Sequence, residues 1–341
     1  MFRGGMTRLT AGRWPVVFYF LVAAFVTFAA VAEEFDPGRV TGPEIQAYRD
    51  RYVPREYPAP ARAWYYADAA VVTVLLLSGM WLVRTNRPAR WLAAQMAFAL
   101  LYLGVIRGGC ICPVGATSNV LLGVSHPELI GLATLALFLV PLIVALLSGR
   151  VFCGTVCPLG AVQELCSPNK ARRPVPRRWH RALLVLPVVV LLATAAAVWL
   201  GICFLPCLLD PYTPLFFQGR ALVQKLVSWF FSGYAEPGWI LAGSGLAWTI
   251  LFAALAAGWF IPRVFCRYIC PYGVLLGLLA AVGFWRRKIH AETCVQCERC
   301  VKQCPVQAIQ PSPDGTALEI SPYQCIQCNR CSTICRRGAV L

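Results

Sequence analysis

Six apolar segments constrain the fold of this chain more than any other feature of its sequence. Each is long enough, or nearly so, to cross a hydrocarbon layer of about 30 Å at about 1.5 Å per helical residue. Of the 341 residues, 58% are hydrophobic, and the mean hydropathy is +0.62. The sequence therefore predicts a polytopic α-helical membrane protein of about six helices. The segments cover residues 14–32, 65–83, 91–106, 129–148, 182–202 and 239–261.

The first segment has two interpretations. Arg3, Arg8 and Arg13 precede an apolar run that ends in Ala-Val-Ala, which suits a cleavable signal sequence as well as a retained helix. We favour the retained helix. Both interpretations leave Glu33 and the residues after it on the outer side.

Charge gives the orientation, because Lys and Arg are enriched in the short loops that stay in the cytoplasm. The candidate inner segments hold 18 Lys and Arg residues, whereas the outer segments hold 8 against 10 Asp and Glu. We therefore expect a multi-pass protein of the bacterial cytoplasmic membrane with its C-terminus in the cytoplasm. The net charge of +16 fits this topology and contact with membrane lipid, and it argues against nucleic-acid binding.

Beyond the last inner basic cluster the chain becomes more polar and carries two cysteine runs, CVQCERCVKQCP at 294–305 and CIQCNRCSTIC at 325–335. The spacing C-x2-C-x2-C-x3-C-P is that of bacterial ferredoxins, in which the fourth cysteine ligates the other cluster. Structural zinc sites usually separate their cysteine pairs by a longer loop, so zinc is the weaker alternative. The first [4Fe-4S] cluster is predicted on Cys294, Cys297, Cys300 and Cys335. The second is predicted on Cys325, Cys328, Cys331 and Cys304.

These patterns divide the chain into three parts. Residues 1–64 form an N-terminal helix or signal anchor and an outer segment, and residues 65–285 form a helical membrane domain with four cysteine pairs. Residues 286–341 form a C-terminal α+β ferredoxin domain with two [4Fe-4S] clusters. Within it, VQAIQ and ALEIS flank the turn-like PSPDG and predict a hairpin.

The segment RVFCGTVCPLG at 150–160 recurs as RVFCRYICPYG at 263–273. Cysteines at i and i+4 share a helix face, and the proline after the second one discourages continuation of the helix. On the predicted orientation both copies lie on the inner side, where the ferredoxin domain also lies. Two interpretations stay open for these four cysteines, namely metal or cluster ligands and structural thiols. The predicted inner site is Cys153, Cys157, Cys266 and Cys270.

Two further cysteine pairs fall on the predicted outer side. Helix, outer pair, helix and inner pair follow one another twice, which is typical of a parallel internal repeat. Such symmetry would bring the two outer pairs together, where they could be ligands of a cluster or other metal, disulfides, or unligated thiols. Cys166 stands alone and is interpreted as a small buried hydrophobe. The predicted outer site is Cys110, Cys112, Cys203 and Cys207.

The paired CxxxCP motifs and the two-cluster tail together resemble the NapH-type membrane ferredoxins and the membrane and C-terminal portions of NosR-type proteins. The resemblance is strong from residue 150 onward and rests on hydropathy before it. It implies quinol oxidation or electron delivery among a membrane pool, cytoplasmic clusters and an outer partner. The outer segment 33–62 is too short for the flavin domain of NosR-type proteins, so flavin is not expected.

The predicted function is therefore membrane-bound iron-sulfur electron transfer between a cytoplasmic or quinone pool and a redox partner protein. The chain would act as an electron carrier or a quinol dehydrogenase subunit rather than a stand-alone enzyme. The alternative is a redox-sensing regulator or an accessory protein for metalloenzyme maturation. Haem is not expected, because His126, His180 and His290 all fall at segment edges. Gln163 and Glu164 could hydrogen-bond a quinone or could be interfacial polar residues.

Overall fold

The computed structural model describes 62–108, 113–125, 132–167, 174–200, 210–217, 230, 245–312 and 317–340. These residues belong to one compact unit, Ala61–Leu341. The predicted first helix and the four predicted outer cysteines lie outside the described residues.

The described part before residue 286 is helical. Its elements are α1 Arg62–Arg84, α2 Ala89–Ala99 with a π-helical continuation Leu100–Ile106, α3 Pro113–Ser125, α4 Leu132–Ser148, α5 Val151–Thr155, α6 Pro158–Leu165, α7 Arg177–Leu183, α8 Leu186–Trp199, a second π-helical turn Thr213–Phe217, α9 Gly245–Gly258, α10 Val264–Tyr268 and α11 Pro271–Val282.

Helix α4 lies at the centre of this bundle, where it packs against α1, α3 and α11. It is almost wholly apolar, and Phe138, Val144 and Ala145 are buried on it. Helix α2 and its π-helical continuation pack on α1, α5 and α6, while α8 packs on α3 and α11. The short helices α5 and α6, which carry the first RVFC copy, are thereby enclosed by longer helices.

Three described helices are long and apolar enough to span a membrane, and they support the predicted membrane class. They are Tyr66–Arg84, Ala89–Ile106 and Arg177–Trp199. The segments predicted at 129–148 and 239–261 form the shorter apolar helices Leu132–Ser148 and Gly245–Gly258. Apolar helices also lie where no span was expected, at Gly115–Val124 and Pro271–Val282.

Each of the three CPxG frames in the sequence places its proline at the start of a helix. Pro113, Pro158 and Pro271 are the first residues of α3, α6 and α11. Proline suits this position, because its missing N–H would lack a helical partner there in any case. At Pro158 and Pro271 the proline follows the end of a short helix, as expected, and also begins a new one, which the motif alone did not predict.

The C-terminal part is a small α+β module. Its elements are α12 Arg299–Gln303, β1 Ile309–Pro311, β2 Leu318–Ile320 and α13 Arg330–Ile334. Strands β1 and β2 pair antiparallel, with Ile309 opposite Ile320, as the hairpin prediction required. An isolated bridge between Ile289 and Val340 closes the module at its two ends.

The module docks on the helical bundle through close backbone contacts. A Cβ atom on Gly154 of α5 would lie 2.1 Å from the carbonyl oxygen of Ile326, and one on Gly277 of α11 would lie 2.7 Å from the ring of Tyr323. The Asn329 amide donates to the carbonyl oxygens of Leu82 and Arg87 at 3.3 and 2.9 Å. The loop that carries the second cysteine run therefore rests directly on α5, α11 and the end of α1.

Gly154→Ala is expected to loosen this docking, because the new methyl group cannot coexist with the Ile326 carbonyl unless a backbone moves. Overpacking of this kind costs roughly 1–3 kcal/mol. The expected result is faster limited proteolysis of the C-terminal module. Gly258→Ala is the matched control, since no atom lies within 4 Å of the added Cβ. Equal proteolysis rates for the two variants would contradict the docking contact.

Candidate cluster-binding sites

The two cysteine runs of the C-terminal module have the same backbone conformation. Gln296 and Glu298 in the first run have φ of 51° and 56°, and Gln327 and Asn329 in the second have 57° and 55°. Residues other than glycine seldom adopt this left-handed conformation, and it concentrates at functional sites. Each run then continues into a five-residue helix, α12 or α13. The repeated left-handed turns curl each loop around a common centre.

Two cavities lie inside these loops, and each is lined by four cysteines. The first, about 230 Å³, is lined among other residues by Cys294, Cys297, Cys300 and Cys335. The second is smaller, about 20 Å³, and is lined among other residues by Cys304, Cys325, Cys328 and Cys331. The cysteines thus fall into the two groups that the ferredoxin spacing predicts, including the exchange of Cys304 and Cys335 between the runs.

Backbone amides point at the sulfur atoms of these cysteines. The amide of Ala308 donates to Cys304 Sγ at 3.3 Å, Gln327 donates to Cys325, and Val301 donates to Cys300. Burial raises the pKa of the Cys325 thiol to about 12. It is therefore protonated at neutral pH without a metal, and metal binding would release its proton.

A buried guanidinium also lines the second cavity. Arg287 is 3% exposed, and its Nη1 is buried with no hydrogen-bond acceptor. The groups that accept its other hydrogen bonds, on Gln327, Asn329 and Val83, are uncharged. A buried cation without a counter-charge is costly, so an anionic group in this cavity fits its walls. A thiolate-bound iron-sulfur cluster is such a group.

The structure brings the four predicted inner cysteines together in the helical bundle. The side chains of Cys157 and Cys266 interact with each other, and Cys270 interacts electrostatically with Cys153 and Cys157. Cys153 and Cys157 are each 7% exposed. The two RVFCxxxCPxG copies therefore meet at one point, with thiols from both.

Local helix geometry explains the CPxG frame. Cys157 and Cys270 are the N-cap residues of α6 and α11. The Cys157 sulfur atom accepts a hydrogen bond from the amide of Gly160 at 3.4 Å, and the Gly273 amide donates to the Cys270 carbonyl oxygen at 3.2 Å. The amides at a helix N-terminus favour negative charge. Each motif thus places its second cysteine at the start of a helix.

The arginine of each RVFC copy reaches across to the other copy. A Cβ atom on Gly160 would lie 3.0 Å from Nη1 of Arg263, and one on Gly273 would lie 3.0 Å from Nη2 of Arg150. Arg263 donates to the Cys153 carbonyl oxygen, and Nη2 of Arg150 lies 3.7 Å from Cys153 Sγ. Each glycine therefore leaves the space that the opposite arginine fills.

Sequence reasoning missed these arginines, although the repeat contained a signal for them. The R of RVFC and the G of CPxG recur in both copies. No local rule connects them, because Arg263 and Gly160 are 103 positions apart in the chain. Only the meeting of the two copies in space gives the pairing a physical reason.

Glu164 and Gln163 follow the first motif on α6. The Glu164 carboxylate pairs with Arg263 at 2.8 Å and with Arg330 at 2.6 Å. The Gln163 amide is fully buried, and its two polar atoms lack hydrogen-bond partners. Glu164 therefore links the inner cysteines to α13, which carries the predicted ferredoxin ligand Cys331.

Tyr212 is a further side chain at the inner site. Its hydroxyl lies 3.1 Å from Cys157 Sγ, and its amide donates to Asp210 Oδ1 at 3.0 Å. The segment follows the predicted outer pair Cys203 and Cys207 in the sequence, yet Tyr212 is buried against a predicted inner cysteine. The chain therefore turns back into the bundle here, which hydropathy did not indicate.

Within the described ranges, no three Cys, His, Asp or Glu side chains converge closely enough to hold a single metal ion. Cys166 is half-buried and free. The buried carboxylate of Asp68, in the first described helix, pairs with Arg107 at 2.5 Å.

The helical bundle and the cysteine-lined cavities together define a helical protein with a two-cluster ferredoxin module. Residues 130–178 and 241–290 match a family model described as a 4Fe-4S binding domain. Residues 293–340 match one described as a 4Fe-4S dicluster domain. These matches support iron-sulfur clusters as the cofactors.

Three named relatives are similar to parts of the chain. The chain is 30% identical over 281 residues to Regulatory protein NosR of Pseudomonas aeruginosa, and this match covers 74% of the chain and 36% of NosR. It is 30% identical over 195 residues to Ferredoxin-type protein NapH of Haemophilus influenzae, and this match covers 54% of the chain and 56% of NapH. It is 28% identical over 187 residues to Putative electron transport protein YccM of Escherichia coli, and this match covers 51% of the chain and 46% of YccM.

The chain thus spans about half of NapH and YccM and about a third of NosR. No solved structure matches it significantly. The predicted resemblance to the NapH/NosR-type membrane polyferredoxins is confirmed by these relatives.

Arg263→Gln is expected to destabilise the inner site, because it leaves the buried Glu164 carboxylate without its Arg263 partner. Removing one member of a buried ion pair costs about 3–5 kcal/mol. We expect a clearly lower melting temperature of the full chain in detergent. The double variant Arg263→Gln/Glu164→Gln should recover part of the loss, since the buried carboxylate that lost its Arg263 partner is then removed as well.

Arg90→Gln is the control for this prediction, because Arg90 is exposed on α2. A melting temperature that falls equally in Arg90→Gln and Arg263→Gln would show that the buried ion pair is not the cause.

Proposed function

We propose that this protein is a membrane-bound iron-sulfur carrier that passes electrons between the C-terminal module and the inner cysteines. One observation carries the proposal: Gly154 and Ile326 are in backbone contact. Gly154 follows Cys153 of the inner site, and Ile326 follows Cys325 of the second ferredoxin site. The two sets of cysteines are therefore adjacent in space, as successive stations of an electron relay need to be.

The ligands of this relay follow the cysteine groups. Cys294, Cys297, Cys300 and Cys335 would hold one [4Fe-4S] cluster, and Cys304, Cys325, Cys328 and Cys331 a second. The four inner cysteines would hold a further cluster. The clusters, when bound, supply one-electron redox chemistry, while the protein fixes the thiols, excludes water and directs amides at the sulfur atoms.

The outer cysteines would extend the relay across the membrane. Tyr212 supports this extension, because it lies against Cys157 and stands five positions after Cys207 in the sequence. The distribution of Lys and Arg supports a bacterial cytoplasmic membrane with the C-terminal module inside. Movement of one electron across such a membrane would be coupled to its potential by about 2.3 kcal/mol per 100 mV. The partners would then be redox proteins on either side of the membrane, and membrane lipid.

A cleft beside the inner site suits a quinone. It has a volume of about 500 Å³, within the range of ligand sites, and is lined by α2, its π-helical continuation and α6. Most of its wall is apolar, while Glu164, Ser167 and Arg330 supply polar groups. Exposed Leu101 and Leu165 flank it, which suits entry of a lipid-soluble carrier. Because π-helical turns are frequent at functional sites, the irregular wall adds to this support.

A second candidate function is redox-sensing regulation or an accessory role in metalloenzyme maturation. It is favoured by the name of the relative Regulatory protein NosR. A cytoplasm-facing sensor would need the C-terminal clusters and no path to the outer side. Substitution of Cys203 and Cys207 by serine separates the two functions, since only electron transfer across the membrane depends on an outer station.

Iron and acid-labile sulfide in the anaerobically purified full chain test the ligand assignment. Two cubanes predict about 8 iron atoms per chain, and a third at the inner site raises this to about 12. Cys153→Ser/Cys266→Ser should then lose about 4 iron atoms, whereas Cys166→Ser should lose none. Equal iron contents in the three proteins would show that the inner thiols are not ligands.

Ala97→Trp is expected to abolish reduction of the clusters by a quinol, because it fills the apolar cleft. Ala94→Trp is the matched control, since this exposed residue lies on the same helix and does not line the cleft. Cluster reduction would be followed by visible absorption after quinol is added to each protein. Equal rates in the two variants would remove the quinone from the proposal and leave the relay intact.

A further inference from the structure

Four buried arginines occupy the junction between the helical bundle and the C-terminal module. They are Arg150, Arg263, Arg267 and Arg287, with exposed fractions of 6, 1, 8 and 3%. Arg263 has a carboxylate partner in Glu164. Arg150, Arg267 and Arg287 donate to neutral acceptors in the described part of the chain. Buried positive charge thus exceeds buried negative charge at this junction.

Two of these arginines adjoin the second ferredoxin site. Arg287 lines its cavity and interacts electrostatically with Cys325 and Cys331. Arg267 approaches the same site from the bundle, where it interacts with Cys304 and donates to Gln307 Oε1 at 2.7 Å. The two cations therefore reach different members of the same cysteine group from different elements.

The first ferredoxin site has no such cations among the residues described around its cavity. Arg299, Arg336 and Arg337 line it, but all three are exposed. Water and salt screen the interactions of exposed charges, while buried charges are screened far less. Two sites with matching loops thus have different electrostatic surroundings.

We infer that Arg267 and Arg287 raise the reduction potential of the group held by Cys304, Cys325, Cys328 and Cys331. Reduction adds one negative charge to that group. Burial alone disfavours this added charge, while a nearby guanidinium in a low-dielectric environment stabilises it. Net charge and surroundings are among the factors that set cluster potentials. This inference rests on the proposed cluster ligation.

The inference gives electron transfer within the C-terminal module a direction. One electron leaves the group on Cys294, Cys297, Cys300 and Cys335, which is thereby oxidised, and arrives at the second group, which is reduced. The electron then rests on the site that contacts α5, next to Cys153. The original reductant would be a one-electron donor protein that approaches the exposed first site.

A redox titration of the full chain tests the inference. The anaerobically purified protein would be titrated with dithionite and an oxidant while the cluster signals are followed by electron paramagnetic resonance. Arg287→Gln should shift the reduction potential of one cluster signal to a lower value. Arg287→Lys should return that potential most of the way to the value of the unsubstituted chain, because it keeps the charge. Cys328→Ser assigns that signal, since it removes a ligand of the second site.

Arg286→Gln is the matched control, because this neighbouring arginine is exposed. Cluster potentials that are unchanged in Arg287→Gln, or shifted as much in Arg286→Gln, would overturn the inference. If Arg287→Gln loses its cluster, Arg267→Gln provides the same test from the other side of the site. An iron content well below 8 in the unsubstituted chain would instead overturn the proposed ligation, and the inference with it.

Discussion

The exchange of arginine side chains between the two RVFCxxxCPxG copies is the interaction on which the inner site depends. Arg263 fills the space beside Gly160, and Arg150 fills the space beside Gly273. Each guanidinium therefore holds the opposite copy in place, and thiols from both copies lie near one another as a result. A side chain larger than glycine at either position would displace an arginine, and a smaller residue in place of either arginine would leave a polar void in a tightly packed core.

The contact between the bundle and the C-terminal module depends on the same residues. Arg150 donates from the inner site to the Tyr323 carbonyl oxygen at 3.0 Å, and Glu164 pairs with Arg330 of α13. Gly154 allows the closest backbone approach in this contact. The inner site and the docking contact therefore share the same packed residues. A change in the packing of one is expected to alter the other.

The ferredoxin module could be predicted from its sequence because its ligands are set by short spacings. The structure groups its cysteines around two cavities as the spacing requires. Helix α11 could not be predicted as part of the bundle, because its 12 residues are too few for a spanning pattern. Tyr212 and the four buried arginines were missed for a different reason. Their roles arise from tertiary contacts between distant segments, which neither periodicity nor local motifs report.

The exchanged arginines also determine when the inner site can come into being. Its first half ends at Gly160, but its wall is completed by Arg263, which the ribosome adds 103 residues later. During synthesis the first pair of thiols is therefore made before the residues that complete its surroundings. If the inner cysteines bind a cluster as proposed, that cluster could be loaded only after the second copy is in place.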